Sequence, residues 1–446
     1  MIRGRFPKAA AAALFLAVTV SVGYLAGQRG IPVEDGGEFL TVARLGGVDH
    51  PPGLPLVSFL ARVSWVFLGR SCLRALFAVL SGLLLLLLAE RRGLPRVLFA
   101  AGVLLLPGVS GRLLMWDAYC PLLVLYAAAL LRRPAPDLEG GFLLGLALAV
   151  HPMGAFIPLL YRRKGIRPFA FAAGTVMGLG LYLALPLGSA GGVPVDWGGA
   201  DSWSRFARQV SAAGYREVYG DGMGGFSGGV LANHLDALRG MLWPVLLPMA
   251  AAGVWRCVSE GGRRILAALL LLAVMDALFV LLVNPMASGT TQTGILTLFT
   301  LLALAFMGFG LVEEKAGRRA AAALGTVVLA AGVFLWEPLP DQEEEVRAFY
   351  GNAPPDAGIF VTDNDILYGG WVLKYVDDRR PDLAILSTGN FSPWIERLAV
   401  AFNPDLDLSR GLEDVGGAGI GREEAVARLV AATVEDNPQR RFFVGP

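Results

Sequence analysis

Cysteine, histidine and charge are all scarce in this chain, and each scarcity removes a class of protein. The three cysteines, Cys72, Cys120 and Cys257, form no C-x-x-C pair and no regular spacing, which argues against a disulfide framework and a thiolate metal site. The three histidines, His50, His151 and His234, stand far apart. With the nearby acids they match no ligand spacing of the zinc kind, so no metal and no other cofactor is expected. Charged residues are 17% of the 446, hydrophobic residues 55%, and mean hydropathy is +0.57. A soluble globular chain carries about 25% charged residues, so this composition points to a polytopic membrane protein. No internal repeat or low-complexity tract stands out beyond alanine- and leucine-rich segments.

Long apolar runs are what the chain has in abundance. A bilayer core takes roughly 20 apolar residues of helix, and a charge at mid-span is costly. On that rule spans are expected at 9–26, 73–89, 97–115 and 118–131, in two short segments flanking His151-Pro152, and at 168–187, 242–258, 265–283, 293–312 and 320–336. That makes about eleven crossings. Arg3, Arg5 and Lys8 precede the first run with no small-residue cleavage site before Gln28, so it is expected to be a transmembrane helix and not a secretory signal. Residues 54–68 are apolar but short and interrupted by Arg62, which predicts an interfacial helix. The clusters Arg3/Arg5/Lys8, Arg91/Arg92/Arg96, Arg132/Arg133, Arg162/Arg163/Lys164/Arg167, Arg263/Arg264 and Lys315/Arg318/Arg319 then all fall on the side of the N-terminus. The positive-inside rule makes that side cytoplasmic and turns the polar stretches 28–55 and 188–239 outward.

Beyond Trp336 the composition changes. Residues 337–446 hold 20 of the 37 acids but 10 of the 38 basic residues, and no run there is long enough to cross a bilayer. Short apolar runs at 358–362 and 383–387 predict strands, and 366–376 and 423–434 predict helices. The expected fold class is therefore an α-helical polytopic membrane protein: a transmembrane domain over 1–336 and a small external α/β domain over 337–446. The acidic balance of that tail argues against nucleic acid and anionic headgroups as its partners.

The densest chemistry lies between Glu34 and Leu56, EDGGEFLTVARLGGVDHPPGLPL. Asp35 and Glu38 are three apart and share a face if the stretch turns helical. A carboxylate at the mouth of a helix bundle can deprotonate an acceptor hydroxyl. The same Asp-x-x-Glu pattern also reads as a capping box opening a helix that ends near Leu45, and the two readings are compatible. His50-Pro51-Pro52-Gly53 reads as an extended turn, with His50 able to bond an anion or a substrate hydroxyl. His151 reads as a partner for a carbonyl freed by Pro152. Arg62, Arg74 and Arg112, near expected outer helix ends, are either phosphate-pairing or snorkelling residues. Asp276 is an acid within a span, which marks a functional suspect or a helix-pairing group.

These motifs resemble a known family. The DUF2723 membrane proteins, which include protein O-mannosyltransferases and belong to the GT-C glycosyltransferase superfamily, typically show Asp-Ser-Gly-Glu-Phe followed by His-Pro-Pro-Gly-Tyr-Pro-Leu. Here those positions are Asp35, Gly36, Gly37, Glu38, Phe39 and His50, Pro51, Pro52, Gly53, Leu54, Pro55, Leu56; Gly36 and Leu54 depart from the pattern without removing an ionisable group. The stretch 194–217 is similar to a second family element, with Trp197-Gly198 in the place of its Asn-Trp-Gly turn and Tyr215-Arg216 closing its helix. The tail around 359–386 is similar to the external tail of bacterial members.

The resemblance implies a GT-C-like fold and a polyprenyl-phosphate-linked sugar as donor, with mannose suggested by the eukaryotic members. It implies Asp35 as general base, Glu38 orienting the acceptor or the base, His50 on the donor phosphate or sugar, and Arg216 near the pyranose or phosphate, with Trp197 and Tyr215 in the same loop. The implied acceptor is a serine or threonine of an exported protein or an envelope glycan. The alanine-, glycine- and arginine-rich composition suits a bacterium with a GC-rich genome, and the expected location is its inner membrane, with the C-terminal domain periplasmic or extracellular. Two other classes stay open: a transporter or flippase, for which Asp276 and the His151-Pro152 break speak, and a non-catalytic membrane scaffold.

Overall fold

The computed structural model of the chain describes residues 13, 17–25, 27, 30–89, 93–162, 164–193, 195–197, 199–213, 228–241, 243–284, 293–388, 403, 405–411 and 422–445. Residues 9–12, 14–16 and 26 of the expected first span at 9–26 lie outside the described residues, as do Arg91, Arg92, Gly198, Tyr215 and Arg216. The chain divides into two compact units, one of residues 1–27, 74–180 and 222–339, the other of residues 28–73, 181–221 and 340–446.

Five helices among the described residues are long and apolar enough to cross a bilayer: Pro55–Ala89, Pro168–Ala190, Arg263–Val283, Ile295–Lys315 and Gly317–Leu335. The number rises to seven if each of two sharply bent pairs is one span. Among the described residues the spans are therefore fewer than the eleven expected, because hydropathy sums side chains and does not see where a helix breaks. In the segment expected at 97–115, Leu106 precedes Pro107 and adopts an extended conformation, as a residue before proline tends to. The helices Leu94–Leu105 and Pro107–Leu113 meet there at 83°. Tyr119–Arg132 and Leu138–Leu148 have 14 and 11 residues, about 21 and 17 Å of helix against a hydrocarbon core of about 30 Å.

Two further expectations change for local reasons. His151 serves an N–H group: its Nδ1 accepts from the Met153 N–H at 3.2 Å at the start of a 3-10 helix, Pro152–Leu160, and its Nε2 lies 3.2 Å from the Tyr119 hydroxyl. The stretch 54–68 is not a separate interfacial helix. Pro55–Leu68 continues through one 3-10 turn, Gly69–Ser71, into Cys72–Ala89. Arg62 does not interrupt it, because its guanidinium folds back onto the carbonyls of Ala43 and Arg44.

In the first unit, three helix pairs close on glycine. A Cβ at Gly145 of Leu138–Leu148 would lie 2.3 Å from the Thr175 carbonyl oxygen of Pro168–Leu179. One at Gly308 of Ile295–Lys315 would lie 1.9 Å from the Met249 oxygen of Leu246–Ser259, and one at Gly332 of Gly317–Leu335 would lie 2.5 Å from the Gly102 oxygen of Leu94–Leu105. Lipid is as apolar as leucine, so helices in it gain most where small residues let their backbones touch. Phe99 adds an aromatic stack at 4.4 Å to Phe309 and an edge contact at 5.1 Å to Phe306. Asp276 caps the start of Ile295–Lys315, its Oδ2 accepting from the Thr297 N–H at 2.9 Å and hydroxyl at 2.7 Å.

The second unit holds a three-stranded parallel sheet, β1 (Gly358–Val361), β2 (Ala384–Ser387) and β3 (Phe442–Val444), in the order β2-β1-β3. The helical run Asn364–Val376 lies between β1 and β2 in sequence, and Arg422–Asp436 between β2 and β3. The first two strands and both helices match the sequence expectation within a few residues. β3 was not anticipated, being three residues beside Arg440 and Arg441, nor was the helix Glu343–Gly351. Phe360, Ala384, Leu386, Leu406 and Leu408 form the core over the sheet. The same unit contains the first loop and part of the second, so tail and loops pack together.

The glycine seams yield a paired test. Gly308→Ala should lower the thermal unfolding midpoint of the detergent-solubilised protein, at a cost of about 1–3 kcal/mol for overpacking. Gly240→Ala, at a helical position with nothing within 4 Å of the new Cβ, should leave the midpoint unchanged or raise it.

Candidate active site

The site is assembled within the second unit from its three sequence-distant stretches. Glu34 sits in the left-handed region at φ 52°, an uncommon conformation for a residue with a side chain, and its N–H is held by the Asp365 carboxylate. The helix Gly36–Leu45 starts immediately after, with Asp35 at its N-cap position. The capping-box reading fails here. Asp35 makes no side-chain cap bond, and Glu38 faces His50: Oε1 accepts from the His50 backbone N–H at 2.8 Å, and Oε2 lies 2.6 Å from ring Nδ1.

The chain returns to that carboxylate by a turn at Gly46 and Gly47. Gly47 has φ +113°, and a Cβ on it would lie 2.0 Å from the Val195 oxygen, so only glycine lets the second loop approach. Val48 donates to the Val195 carbonyl at 3.0 Å, and Trp197 donates to the Val48 carbonyl at 3.2 Å. This short parallel bridge brings the Trp197 ring edge-on to His50 at 6.3 Å, while Phe39 lies 6.0 Å from the imidazole. Gln209, also from the second loop, donates to the Asp49 backbone oxygen at 3.0 Å.

The tail braces residues that flank this helix. Gln342 Nε2 donates to the Pro32 and Asp365 carbonyls at 2.8 and 2.9 Å. Arg44 bonds the Val376 carbonyl and pairs with Asp378 at 2.8 Å. Arg70 grips Asp377 with two nitrogens at 2.7 and 3.1 Å, the bidentate geometry that makes an arginine pair specific.

The electrostatics follow from burial. Glu38 is fully buried, and burial raises its pKa while His50 opposes the rise. Asp49, also fully buried, is pushed up to about 7 by burial and then by Glu38. It accepts a hydrogen bond from Ser58, and its Oδ1 has no hydrogen-bond partner among the described residues. Burial alone would lower His50, but Glu38 and Asp35 outweigh it and raise the imidazole to about 10. The Asp35 side chain is 24% exposed, and its Oδ2 stands 3.8 Å from His50 Nε2. It is the member of the carboxylate pair that an incoming group can reach. One oxygen from each of Asp35 and Glu38 and a ring nitrogen of His50 lie within 4.8 Å of one another, a donor set that could hold a metal ion. The sequence reading offered no such grouping.

Of the residues singled out in the sequence, Asp35, Glu38, His50 and Trp197 meet. Arg62 is in the same unit but is spent on the carbonyls that end Gly36–Leu45. Arg74 and Arg112 belong to the first unit. There Arg74 donates to the Tyr24 carbonyl at 2.7 Å and covers the Tyr24 ring at 3.8 Å, and Arg112 bonds the Gly108 carbonyl at 3.1 Å and the Thr293 carbonyl at 3.4 Å. Tyr215 and Arg216 fall outside the described residues. Sequence reasoning missed Asp49, although an acid beside the singled-out histidine was in view, and Gln209, for which the sequence holds no signal.

Fold and site together define a largely helical chain with, among the described residues, five to seven helices able to cross a membrane, compatible with an integral membrane protein, and with a carboxylate–imidazole cluster in its sheet-containing unit. No protein-family model matches the chain, and no curated protein matches it.

Asp49 and His50 bind protons more tightly folded than unfolded, so each contributes stability that is lost as pH rises. For Asp49 the loss runs from about 4 to about 7 and for His50 from about 6.5 to about 10. The unfolding free energy should therefore fall between pH 7 and pH 10 by up to about 1.4 kcal/mol per pH unit, and the thermal midpoint with it. His50→Gln should flatten that fall in the same thermal scans.

Proposed function

We propose that this protein is a membrane glycosyltransferase that moves a sugar from a polyprenyl-phosphate-linked donor to an acceptor hydroxyl on the outer face of the membrane, with Asp35 as general base. The observation that carries the reading is the division of labour in the carboxylate pair. Glu38 is buried and committed through both oxygens to His50, whereas Asp35 is partly exposed and free of any capping bond. That is the arrangement single displacement needs: one reachable carboxylate to take the acceptor proton and a fixed cation beside it.

In this mechanism Asp35 takes the proton of the acceptor hydroxyl as its oxygen bonds the anomeric carbon. The bond from that carbon to the donor phosphate oxygen breaks, its electron pair leaves with the lipid phosphate, and the anomeric configuration inverts. His50, held by Glu38, places positive charge where the leaving phosphate gains negative charge. The acceptor class is a serine or threonine of an exported protein or an envelope glycan, and mannose is the first sugar to test. The location that goes with this chemistry is a bacterial inner membrane with the N-terminus cytoplasmic and the acidic tail outside. The transporter reading has less behind it, since Asp276 is engaged as a helix cap.

The test is sugar transfer in membranes expressing wild type or Asp35→Asn, supplied with radiolabelled polyprenyl-phosphate mannose, glucose and arabinose and an envelope extract as acceptor. Transfer from one donor should fall by about 10²-fold or more in Asp35→Asn at unchanged expression. Full transfer by the mutant would remove Asp35 as the base, and no transfer by the wild type from any of the three would overturn the reading for these donors.

A further inference from the structure

We propose that a cavity between helices of the first unit binds the phosphate headgroup of one anionic lipid, with Arg133 as the anchoring cation. The cavity has a volume of about 390 Å³, within the size range of pockets that hold small ligands. Its charged lining residues are Arg96, Arg133, Arg256 and Glu260, and Leu130, Ile265 and Phe306 give it apolar walls. Three guanidiniums against one carboxylate, set beside hydrocarbon, match a ligand that carries an anionic group on an apolar tail. Leu131 and Glu260, also in the lining, are exposed, so the cavity is reached from the surface.

The pairing of the arginines decides which of them meets the anion. Arg96 is held by Glu313 at 2.9 Å, and Arg256 by Glu260 and Glu314 at 3.0 Å each. Arg133 has no side-chain hydrogen bond and no ion pair among the described residues, although it is only partly exposed. A guanidinium drawn out of water without a counter-charge gains most from a phosphate, which it can meet with two parallel N–H bonds. Its backbone is unusual too. At φ 46° Arg133 stands in the left-handed region just past Tyr119–Arg132, where glycine commonly ends a helix. An arginine there carries a conformational cost that glycine does not.

A second group of donors comes from Arg263–Val283. Gly262, at its N-cap position, and Ile265, in its first turn, both line the cavity, and glycine has no side chain to cap the helix. The opening N–H groups of a helix lack intrahelical partners and favour an anion. Arg96, Arg133 and Gly262 also stand within or beside three of the basic clusters that the positive-inside rule turns toward the cytoplasm. Basic pockets between membrane helices on that side take anionic headgroups. The cavity belongs to the first unit, whereas Asp35, Glu38 and His50 belong to the second, so lipid binding stands or falls apart from the glycosyl-transfer reading.

The experiment is native mass spectrometry and thermal unfolding of the purified, delipidated full-length chain in detergent, with dioleoyl phosphatidylglycerol, dioleoyl phosphatidylcholine or inorganic phosphate added. Wild type should retain one phosphatidylglycerol per chain and unfold at a higher temperature with it, while phosphatidylcholine and inorganic phosphate leave both readouts unchanged. Arg133→Gln should weaken phosphatidylglycerol binding by about tenfold or more. Arg132→Gln removes the same charge from an exposed pair with Glu139 and should bind as wild type does. A phosphatidylglycerol with a diazirine-bearing chain should label wild type within 127–133 or 256–265. The proposal is overturned if wild type holds no stoichiometric phosphatidylglycerol, if phosphatidylcholine is held as tightly, or if inorganic phosphate alone gives the full thermal shift. It is equally overturned if Arg133→Gln binds as wild type does, if both arginine variants lose binding alike, or if the label falls only elsewhere. The labelling decides the location even where a variant fails to fold.

Discussion

A carboxylate taken out of water must find a proton, a cation or several N–H groups, because an uncompensated buried charge costs several kcal/mol. Glu38 finds what it needs in one residue, the backbone N–H and the ring of His50. That pair ties the first turn of Gly36–Leu45 to the turn beyond its end, and with it fixes where Asp35 faces. Removing His50 would take from the buried Glu38 carboxylate both groups that its oxygens face. The geometry of the loop therefore depends on this contact more than on the propensity of any residue in it.

The rest of the second unit keeps that contact in place. Gly47 admits the second loop, whose Trp197 meets the imidazole, and Gln209 fixes the Asp49 backbone. From the tail, Asp365, Gln342, Asp377 and Asp378 engage Glu34, Pro32, Arg70 and Arg44. The tail's acids are thus partly spent on the arginines that flank the loop. Some of what composition shows as an acidic surface is internal pairing. In the first unit a different rule holds. Helices close through Gly145, Gly308 and Gly332, where backbone meets backbone, with aromatic contacts such as Phe99 on Phe309 filling the space beside the seams.

Much of the fold was legible. The strands at 358–361 and 384–387 and the long helices at 263–283, 295–315 and 317–335 follow from period and apolar length, which are local quantities. The segments that misled were 97–115 and 54–68, because a proline-induced bend and an arginine folding onto carbonyls are invisible to a hydropathy sum; 118–131 is a helix within a residue of its expected bounds but short for a crossing. At the site, Asp35, Glu38, His50 and Trp197 were legible as chemistry, but the link between Glu38 and His50 was not. The capping-box pattern suggested an i to i+3 partner, and the real partner lies twelve residues on.

The sequence by itself determined that the chain is mostly apolar helix with an acidic, sheet-forming tail, and that its ionisable residues crowd into one short loop. Those properties depend on composition and on neighbours a few residues apart. Only the tertiary structure decided which carboxylate is buried and which is reachable, that the histidine joins them, and that Asp49 stands fully buried beside them. A side chain's charge is set by solvent exposure and by groups brought near through folding. Neither quantity is written in the order of residues along the chain.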